Sequence, residues 1–297
     1  MMKIGAVIND KSGTLPPQQA EKQLIEIKDH LKAKVCHECL VVDSGDNTVN
    51  EIKKMIAKGI DVLVIGGGDG TISTAAKLVK DSDIILAVLG LGTRNHFARD
   101  LGIPKDPIEA IKLLDKLNVR QIDLGEVNGN IFINNATMGF YPQIVKERDD
   151  KTEKHGWRKW QAHIVAAFFV LWRFPKIRLI VQGENSRDHY YTPLLFVGNN
   201  EYQNGILSNS SRSTLNGGHL WVCTVHATGI WSLLRMAWQL TTKGIQGVQN
   251  IETRLVSSIT VRPNKRKVTV AIDGENKKLH SPLRFNIIKK GLRVVVP

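Results

Sequence analysis

A short loop at residues 66–71 combines glycine with a single carboxylate. It follows a β-branched apolar run at residues 62–65, opens a helical pattern, and consists of Gly66, Gly67, Gly68, Asp69, Gly70 and Thr71. Because its four glycines lack Cβ atoms, the backbone of the loop can approach a phosphate closely, and the first N–H groups of the next helix point at the anion. Asp69 could hold phosphate-bound magnesium, directly or through water. The loop is neither a Walker loop nor a dinucleotide fingerprint, and a turn kept glycine-rich for steric reasons is the alternative.

A second glycine loop follows the next apolar run and contains Gly90, Gly92, Thr93, Arg94 and Asn95. Thr93 and Asn95 offer side-chain hydrogen bonds, and the forked guanidinium of Arg94 could bind a phosphate oxygen. The carboxyl ends of neighbouring parallel strands form the crevice where open α/β sheets bind ligands. Both loops are therefore predicted to converge on one crevice. The alternative makes Asn95 a helix N-cap and Arg99 a surface group.

The first 120 residues alternate between strand and helix patterns. Strand patterns lie at residues 2–8, 35–42, 62–65 and 84–89, and helix patterns lie at residues 18–32, 49–56, 71–80 and 107–117. This alternation predicts an α/β domain with a mostly parallel sheet. We place it at residues 1–122, and a final strand near residues 290–297 can return to it.

Short extended segments dominate the rest of the chain. They lie at residues 126–135, 177–182, 190–198, 220–225, 255–261, 268–272 and 283–288, with helix candidates at 158–173 and 231–241. Turn residues separate them and few helices intervene, which predicts a mainly antiparallel β domain at residues 123–289.

Composition and charge restrict the class of protein. The chain has 297 residues, of which 42% are hydrophobic and 23% charged, and this excludes disordered and collagen-like proteins. Three cysteines cannot all pair, the start lacks a signal-peptide pattern, and the longest apolar run, 164–172, is too short to span a bilayer. We therefore expect a reducing, cytoplasmic setting.

The net charge of +13 predicts an anionic partner, such as nucleic acid, anionic lipid or a phosphorylated ligand, unless the charge serves solubility alone.

Motifs spread along the chain resemble a known family. The segments concerned are residues 9–13, 67–71, 92–104, 123–125, 134–140, 197–199 and 273–275. In this order they resemble the catalytic domain of diacylglycerol kinases, sphingosine kinases and bacterial lipid kinases. NAD kinases and phosphofructokinases share the Gly-Gly-Asp-Gly-Thr element alone, so the ordered set is what makes the resemblance specific.

The resemblance implies a two-domain kinase with an NAD-kinase-like N-terminal domain, ATP between the domains, and Mg²⁺. It places Glu275 at the catalytic proton acceptor, with Asp273 beside it and Asp69 at the metal. The nucleotide-binding positions that it implies are Asn9, Ser12, Gly13, Gly67, Gly68, Asp69, Gly70, Thr71, Gly92, Thr93 and Asn95. A carboxylate on a tight turn can accept the proton of an attacking hydroxyl. The alternative for residues 273–275 is an Asp-Gly hairpin turn with a solvated Glu275.

Three residues depart from the family pattern. Arg94 and His96 stand where many relatives have Gly and Asp, which removes a carboxylate from the magnesium–water network. Gly217 stands where relatives have an Asp that helps hold a structural magnesium. Its carbonyl cannot supply that charge, so we expect this metal site to be weak or absent.

Three other features have competing interpretations. Aromatic and basic side chains at residues 157–174 suit either a membrane interface or an ordinary core helix. Cys36 and Cys39 have the spacing of half a zinc site, but strand alternation sends them to opposite faces. The basic run at residues 265–267 is predicted to be a charged hairpin turn rather than a nucleic-acid site, because no reader motif accompanies it.

The sequence predicts an ATP-dependent lipid kinase that transfers the γ-phosphate of ATP to a hydroxyl of a lipid such as diacylglycerol. It would serve phospholipid biosynthesis from the cytoplasm, peripherally at an anionic inner membrane face. The alternatives are a kinase of a soluble acceptor and a catalytically idle nucleotide- or lipid-binding protein. Arg94, His96 and Gly217 favour the idle protein, whereas Asp69 with Glu275 opposes it. The identity of the lipid stays open, as does the choice between monomer and homodimer.

Overall fold

The computed structural model describes residues 2–9, 17–32, 39–42, 45–139, 177–182, 187–203, 211–225 and 251–297. The chain divides into two compact units. The first comprises Met1–Leu124, Thr214–Asn216 and Ile288–Pro297, and the second comprises Gly125–Ser213 and Gly217–Ile287.

The first unit is an α/β domain. Its elements are β1 (Ile4–Asn9), α1 (Pro17–Lys32), β2 (Cys39–Val42), α2 (Gly45–Ala57), β3 (Val62–Gly67), α3 (Asp69–Val79), β4 (Ile85–Gly90), α4 (His96–Asp100) and α5 (Pro107–Lys116). Strands β2, β1, β3 and β4 pair in that order, all parallel. The C-terminal part of β16 (Leu283–Val295) adds a further parallel strand beside β4. The predicted parallel sheet is confirmed.

Local sequence explains why these elements form. All six residues of β3 are buried, as expected for a β-branched run in a sheet with both faces covered. Helix α5 begins where the Asp106 side chain accepts a hydrogen bond from the Ile108 N–H (2.7 Å), with Pro107 in the first turn. The buried face of α5 is formed by residues at helical spacing, including Ala110, Ile111 and Leu114.

The second unit is built from antiparallel strands. After β5 (Val119–Val127), the strands are β6 (Asn130–Phe132), β7 (Asn135–Gly139), β8 (Ile177–Gln182), β9 (Arg187–Thr192), β10 (Leu194–Asn199), β11 (Leu220–Val225), β12 (Ile251–Val256), β13 (Ser258–Pro263), β14 (Lys267–Ile272) and β15 (Glu275–His280). One sheet has the order β12-β11-β10-β7-β14-β15. Strands β9, β8 and β13 pair antiparallel with the first part of β16. A core that includes Phe132, Val197 and Phe285 draws on both sets of strands. The predicted antiparallel β domain is confirmed.

Three predicted single strands are in fact pairs of strands. The segment at 126–135 is broken by Asn128 and Gly129, whose φ angles of 47° and 77° reverse the chain. This is the Asn-Gly turn that connects antiparallel strands. The segment at 190–198 is broken at Pro193, which cannot donate a ladder hydrogen bond, and that at 255–261 is broken at Ser257.

Other predictions concern segments outside the described residues. These are the helix candidates at 158–173 and 231–241, and also Ser12, Gly13 and Cys36. In the described part of the chain, no helix combines the length and apolar character that crossing a bilayer requires.

Candidate functional site

The two glycine loops lie side by side in the first unit. Strands β3 and β4 pair so that Gly67 lies opposite Gly90, and the Leu91 N–H donates to the Gly67 carbonyl (2.9 Å). A Cβ atom added to Gly92 would lie 2.6 Å from the Gly68 Cα, so the loops touch through their backbones. The convergence that strand order predicted is therefore present in the structure.

Alanine substitutions at Gly92, which forms the contact, and at Gly70, which lies in open space, test the contact between the loops. Gly92→Ala forces the backbone apart, and overpacking of this kind costs about 1–3 kcal/mol. A Cβ at Gly70 meets nothing within 4 Å, and Ala suits a helix better than Gly does. We expect calorimetry to show a Tm several degrees lower for Gly92→Ala, and an equal or higher Tm for Gly70→Ala. An unchanged Tm for Gly92→Ala would contradict the loop contact.

Asn95 shapes the second loop from inside. Its φ of 47° is left-handed, a conformation that asparagine tolerates better than most residues. Its Oδ1 accepts from the Gly92 N–H (2.8 Å), and its Nδ2 donates to the carbonyls of Gly90 (2.9 Å) and Gly92 (2.7 Å). Asn95 precedes α4, but its side chain makes no capping bond. The residue braces the loop instead.

Asp69 connects the first loop to the second. It is the first residue of α3, and its Oδ1 accepts from the Phe97 N–H (3.2 Å) in the first turn of α4. At the end of β1, the Asn9 Nδ2 donates to the Thr71 Oγ1 (3.2 Å), which joins a third strand end to α3. The structure thus gathers Asn9, Thr71, Asp69 and the two loops at one sheet edge, with Thr93 exposed beside them.

His96 is the half-buried group next to this edge. Its Nδ1 lies 3.1 Å from a guanidinium nitrogen of Arg99. A guanidinium only donates, so Nδ1 accepts and the neutral ring carries its proton on Nε2. Burial lowers the pKa of His96, and Arg99 and Arg94 add to that effect, although Asp69 opposes it. A neutral imidazole therefore lies beside the two loops, and Asp69 is their sole acidic residue.

The residues present fit a nucleotide-borne magnesium better than a protein-only cage. Across the described ranges, no three His, Cys, Asp or Glu side chains form a metal-binding group. Magnesium in nucleotide sites commonly uses one or two carboxylates together with substrate phosphates and water. Asp69 can serve as that carboxylate. Near Gly217, the Leu215 carbonyl accepts from the Asp123 N–H (2.8 Å), and Gly217 itself supplies no side chain.

Asp273 anchors a turn in the second unit. With φ angles of 49° and 89°, Asp273 and Gly274 form the hairpin turn between β14 and β15. The Asp273 carboxylate accepts hydrogen bonds from three consecutive backbone N–H groups, those of Ile133 (3.0 Å), Asn134 (2.9 Å) and Asn135 (3.2 Å). These contacts make Asp273 a residue that positions the turn. Its catalytic role beside Glu275 stays a prediction.

Arg212 holds the same three-residue segment from its carbonyl side. It is 6% exposed, and it donates to the Ile133 carbonyl (2.5 Å) and to the Asn134 Oδ1 (3.1 Å). The Asn199 Nδ2 also donates to the Ile133 carbonyl (3.0 Å). The peptide N–H groups of this segment therefore face the Asp273 carboxylate, whereas the Ile133 carbonyl and the Asn134 side-chain oxygen face the guanidinium. The sequence analysis missed Arg212, which lies in a Ser- and Thr-rich stretch without a motif.

Glu275 begins β15 directly after this anchored turn. Its side chain is exposed, and its backbone pairs with Ile272 of β14. Such a carboxylate, held in place by a rigid turn and open to solvent, can accept a proton from a bound hydroxyl and release it to water.

Comparisons with known proteins point to one family. Residues 3–127 match the family model of the diacylglycerol kinase catalytic domain. Over 115 residues the chain is 43% identical to a "Probable lipid kinase YegS-like" protein of Pseudomonas aeruginosa, covering 39% of this chain and 31% of that protein. A Chromohalobacter salexigens protein of the same name is 32% identical over 156 residues, 46% of this chain and 44% of its own length. The matched segment thus spans less than half of these curated relatives.

A crystal structure of a diacylglycerol kinase from Bacillus anthracis shares the fold. The TM-score is 0.74 at 23% sequence identity, covering 99% of this chain and 97% of that chain.

Proposed function

We propose, from the match of residues 3–127 to the model of the diacylglycerol kinase catalytic domain, that the protein is an ATP-dependent lipid kinase acting on a hydroxyl of a lipid such as diacylglycerol. The observation that carries the proposal is the backbone contact between the glycine loops, Gly68 against Gly92. It lies within the matched segment, at the carboxyl ends of two neighbouring parallel strands, where α/β sheets bind ligands.

The start of α3 supplies the groups that suit a phosphate. The first intrahelical bond runs from the Ile72 N–H to the Gly68 carbonyl (3.1 Å). The N–H groups of Asp69, Gly70 and Thr71 therefore have no carbonyl partner within the helix, and they project from its positive end. When bound, Mg²⁺ would neutralise phosphate charge, with Asp69 as its protein carboxylate.

Glu275 supplies the base for the acceptor. The lipid hydroxyl gives its proton to the Glu275 carboxylate as its oxygen forms a bond to the γ-phosphorus. The bond from that phosphorus to the bridging oxygen breaks, and ADP leaves with the electron pair. Asp273 and Arg212 hold the segment at residues 133–135 and, with it, the turn that presents Glu275.

The setting of the proposed reaction is a membrane surface. A lipid acceptor stays in its bilayer, and the net charge of +13 favours an anionic one. We therefore place the enzyme peripherally at the cytoplasmic, inner membrane face, in phospholipid biosynthesis.

A second candidate is an idle nucleotide-binding protein, favoured by the positive charge that Arg94 and Arg99 place around His96.

A labelling experiment tests the proposal. The protein is incubated with γ-labelled ATP, Mg²⁺ and a total lipid extract in neutral detergent micelles, with Glu275→Gln as the control, and the lipids are then separated by chromatography. A labelled lipid that the control does not produce supports a lipid kinase. A label found only in water-soluble products would indicate a soluble acceptor. ATP binding by calorimetry without any labelled product would indicate the idle protein.

A further inference from the structure

The positive charge of the chain is concentrated near its end. Residues 262–287, all in the second unit, contain seven Lys and Arg side chains but only Asp273 and Glu275 as acidic ones, a net charge of +5 out of +13. The Asp273 carboxylate is already engaged by three backbone N–H groups. A single short stretch of the second unit therefore carries more than a third of the net charge of the protein.

Four of these side chains, together with His280, form a surface that we call the basic hairpin: Lys265, Arg266, Lys267, Lys278 and His280. All five are exposed. In the β14–β15 ladder, Lys267 lies opposite His280, and Lys278 lies two residues before His280. These three therefore project from the same face, and the turn from β13 into β14 adds the other two.

Within the part of the chain that the structure describes, the basic hairpin has no acidic partner of the kind that some other lysines have. Lys54 pairs with Glu51 and Lys112 with Glu109, each at 2.6 Å. None of the ion pairs among the described residues includes a member of the basic hairpin. Its charge is therefore available to an external anion.

Hydrogen bonds to the backbone hold the hairpin in place. The Ser281 N–H donates to the Arg266 carbonyl (2.9 Å), which ties the turn before β14 to the end of β15. The Asn128 Nδ2 donates to the carbonyls of His280 (3.0 Å) and Pro282 (3.1 Å). The backbone that carries the cations is thus ordered before any partner arrives, which lowers the entropic cost of binding.

Protection of a sheet edge is the competing explanation for these charges. Strand β15 lies at the edge of its sheet, and lysines on an edge strand discourage pairing with other chains. That explanation covers Lys278. It does not cover Lys265 and Arg266, which lie in the turn between β13 and β14.

We propose that the basic hairpin docks the protein on an anionic phospholipid surface. This rests on the proposed function, which requires the protein to reach lipids in a bilayer. The face that carries Lys267, Lys278 and His280 also carries Thr269 and Asn276, polar side chains that suit headgroups but cannot stack on nucleic-acid bases. Glu275 begins the strand that ends at His280, so docking brings the proposed base within about 17 Å of the headgroups along the strand.

Matched charge reversals test this surface. The triple variant Lys265→Glu, Lys267→Glu and Lys278→Glu is compared with Lys22→Glu, Lys53→Glu and Lys105→Glu, which reverses three exposed lysines of the first unit. Both variants lower the net charge equally, and glutamate keeps the edge of β15 charged. Sedimentation measures binding to vesicles of phosphatidylcholine alone and of equal parts phosphatidylcholine and phosphatidylglycerol, at low and high salt.

We expect wild type to bind the anionic vesicles in a salt-sensitive way. Each cation lost near the surface should weaken partitioning about fivefold, so the hairpin variant should lose at least about a hundredfold, and the control variant much less. Equal losses in both variants would show that net charge acts without a specific surface, which overturns the proposal. The proposal is also overturned if the hairpin variant binds anionic vesicles as tightly as wild type does. It is likewise overturned if the hairpin variant loses binding to duplex DNA or RNA but keeps its binding to vesicles.

Activity on diacylglycerol alone in neutral detergent micelles, without the total lipid extract, separates this proposal from the proposed function. The hairpin variant should keep wild-type turnover there, because no anionic lipid is present. If the wild-type protein binds anionic vesicles through the hairpin but labels no lipid, the proposed kinase function is wrong, whereas the docking surface is supported.

Discussion

Asp69→Asn is expected to lower turnover by roughly 10²–10³-fold, the effect of losing a single preorganised electrostatic contact, while the fold stays intact. The asparagine Oδ1 can still accept from the Phe97 N–H, as the Asp69 Oδ1 does at 3.2 Å, so the link between the loops survives. The negative charge does not survive. Steady-state kinetics with varied Mg²⁺, together with the Tm from calorimetry, measure the two effects separately.

Asp69→Ala is the matched comparison for that prediction. It removes the charge and also the acceptor for Phe97, so its Tm should fall further, by the equivalent of about 1 kcal/mol as for a lost helix cap. Wild-type turnover in Asp69→Asn would exclude a role for the charge in the chemistry. A Tm of Asp69→Asn as low as that of Asp69→Ala would show that asparagine does not preserve the link.

Glu275→Gln should reduce kcat by roughly 10²–10⁴-fold, the usual contribution of a general base, with the KM for ATP almost unchanged. A base acts in the transition state rather than in nucleotide binding. Because the Glu275 side chain is exposed and follows an anchored turn, its amide should leave the Tm at the wild-type value. Initial rates at varied ATP, with the lipid saturating, provide both constants.

Asp273→Asn tests the division of roles on the same turn. An amide nitrogen cannot accept a hydrogen bond, so one or more of the N–H groups of residues 133–135 lose their partner, at a cost of about 1–3 kcal/mol. We expect a lower Tm together with a lower kcat, because the turn that carries Glu275 loses its anchor. Full turnover in Glu275→Gln, with loss of turnover but no loss of stability in Asp273→Asn, would reverse the two assignments.

Local patterns predicted much of the fold. The apolar run at residues 62–65 became β3, and the helix pattern at 107–117 became α5 with Pro107 in its first turn, because chain neighbours decide these choices. Strand ends that depend on a turn were harder to place. The Asn128-Gly129 pair was present in the sequence as a turn signal, but the apolar pattern on either side suggested one strand.

The sequence by itself determined which chemistry this protein could carry: two glycine loops at neighbouring strand ends, one carboxylate between them, and a second carboxylate on an Asp-Gly turn. Only the tertiary structure decided what several side chains do. Asn95 could have capped a helix or contacted a ligand, yet it braces its own loop. Asp273 and Arg212 hold one segment, although Asp273 lies about 140 residues from it along the chain. Glycine spacing and strand alternation are local properties, whereas the partners of a buried charge depend on which distant backbone groups the fold brings within hydrogen-bond reach.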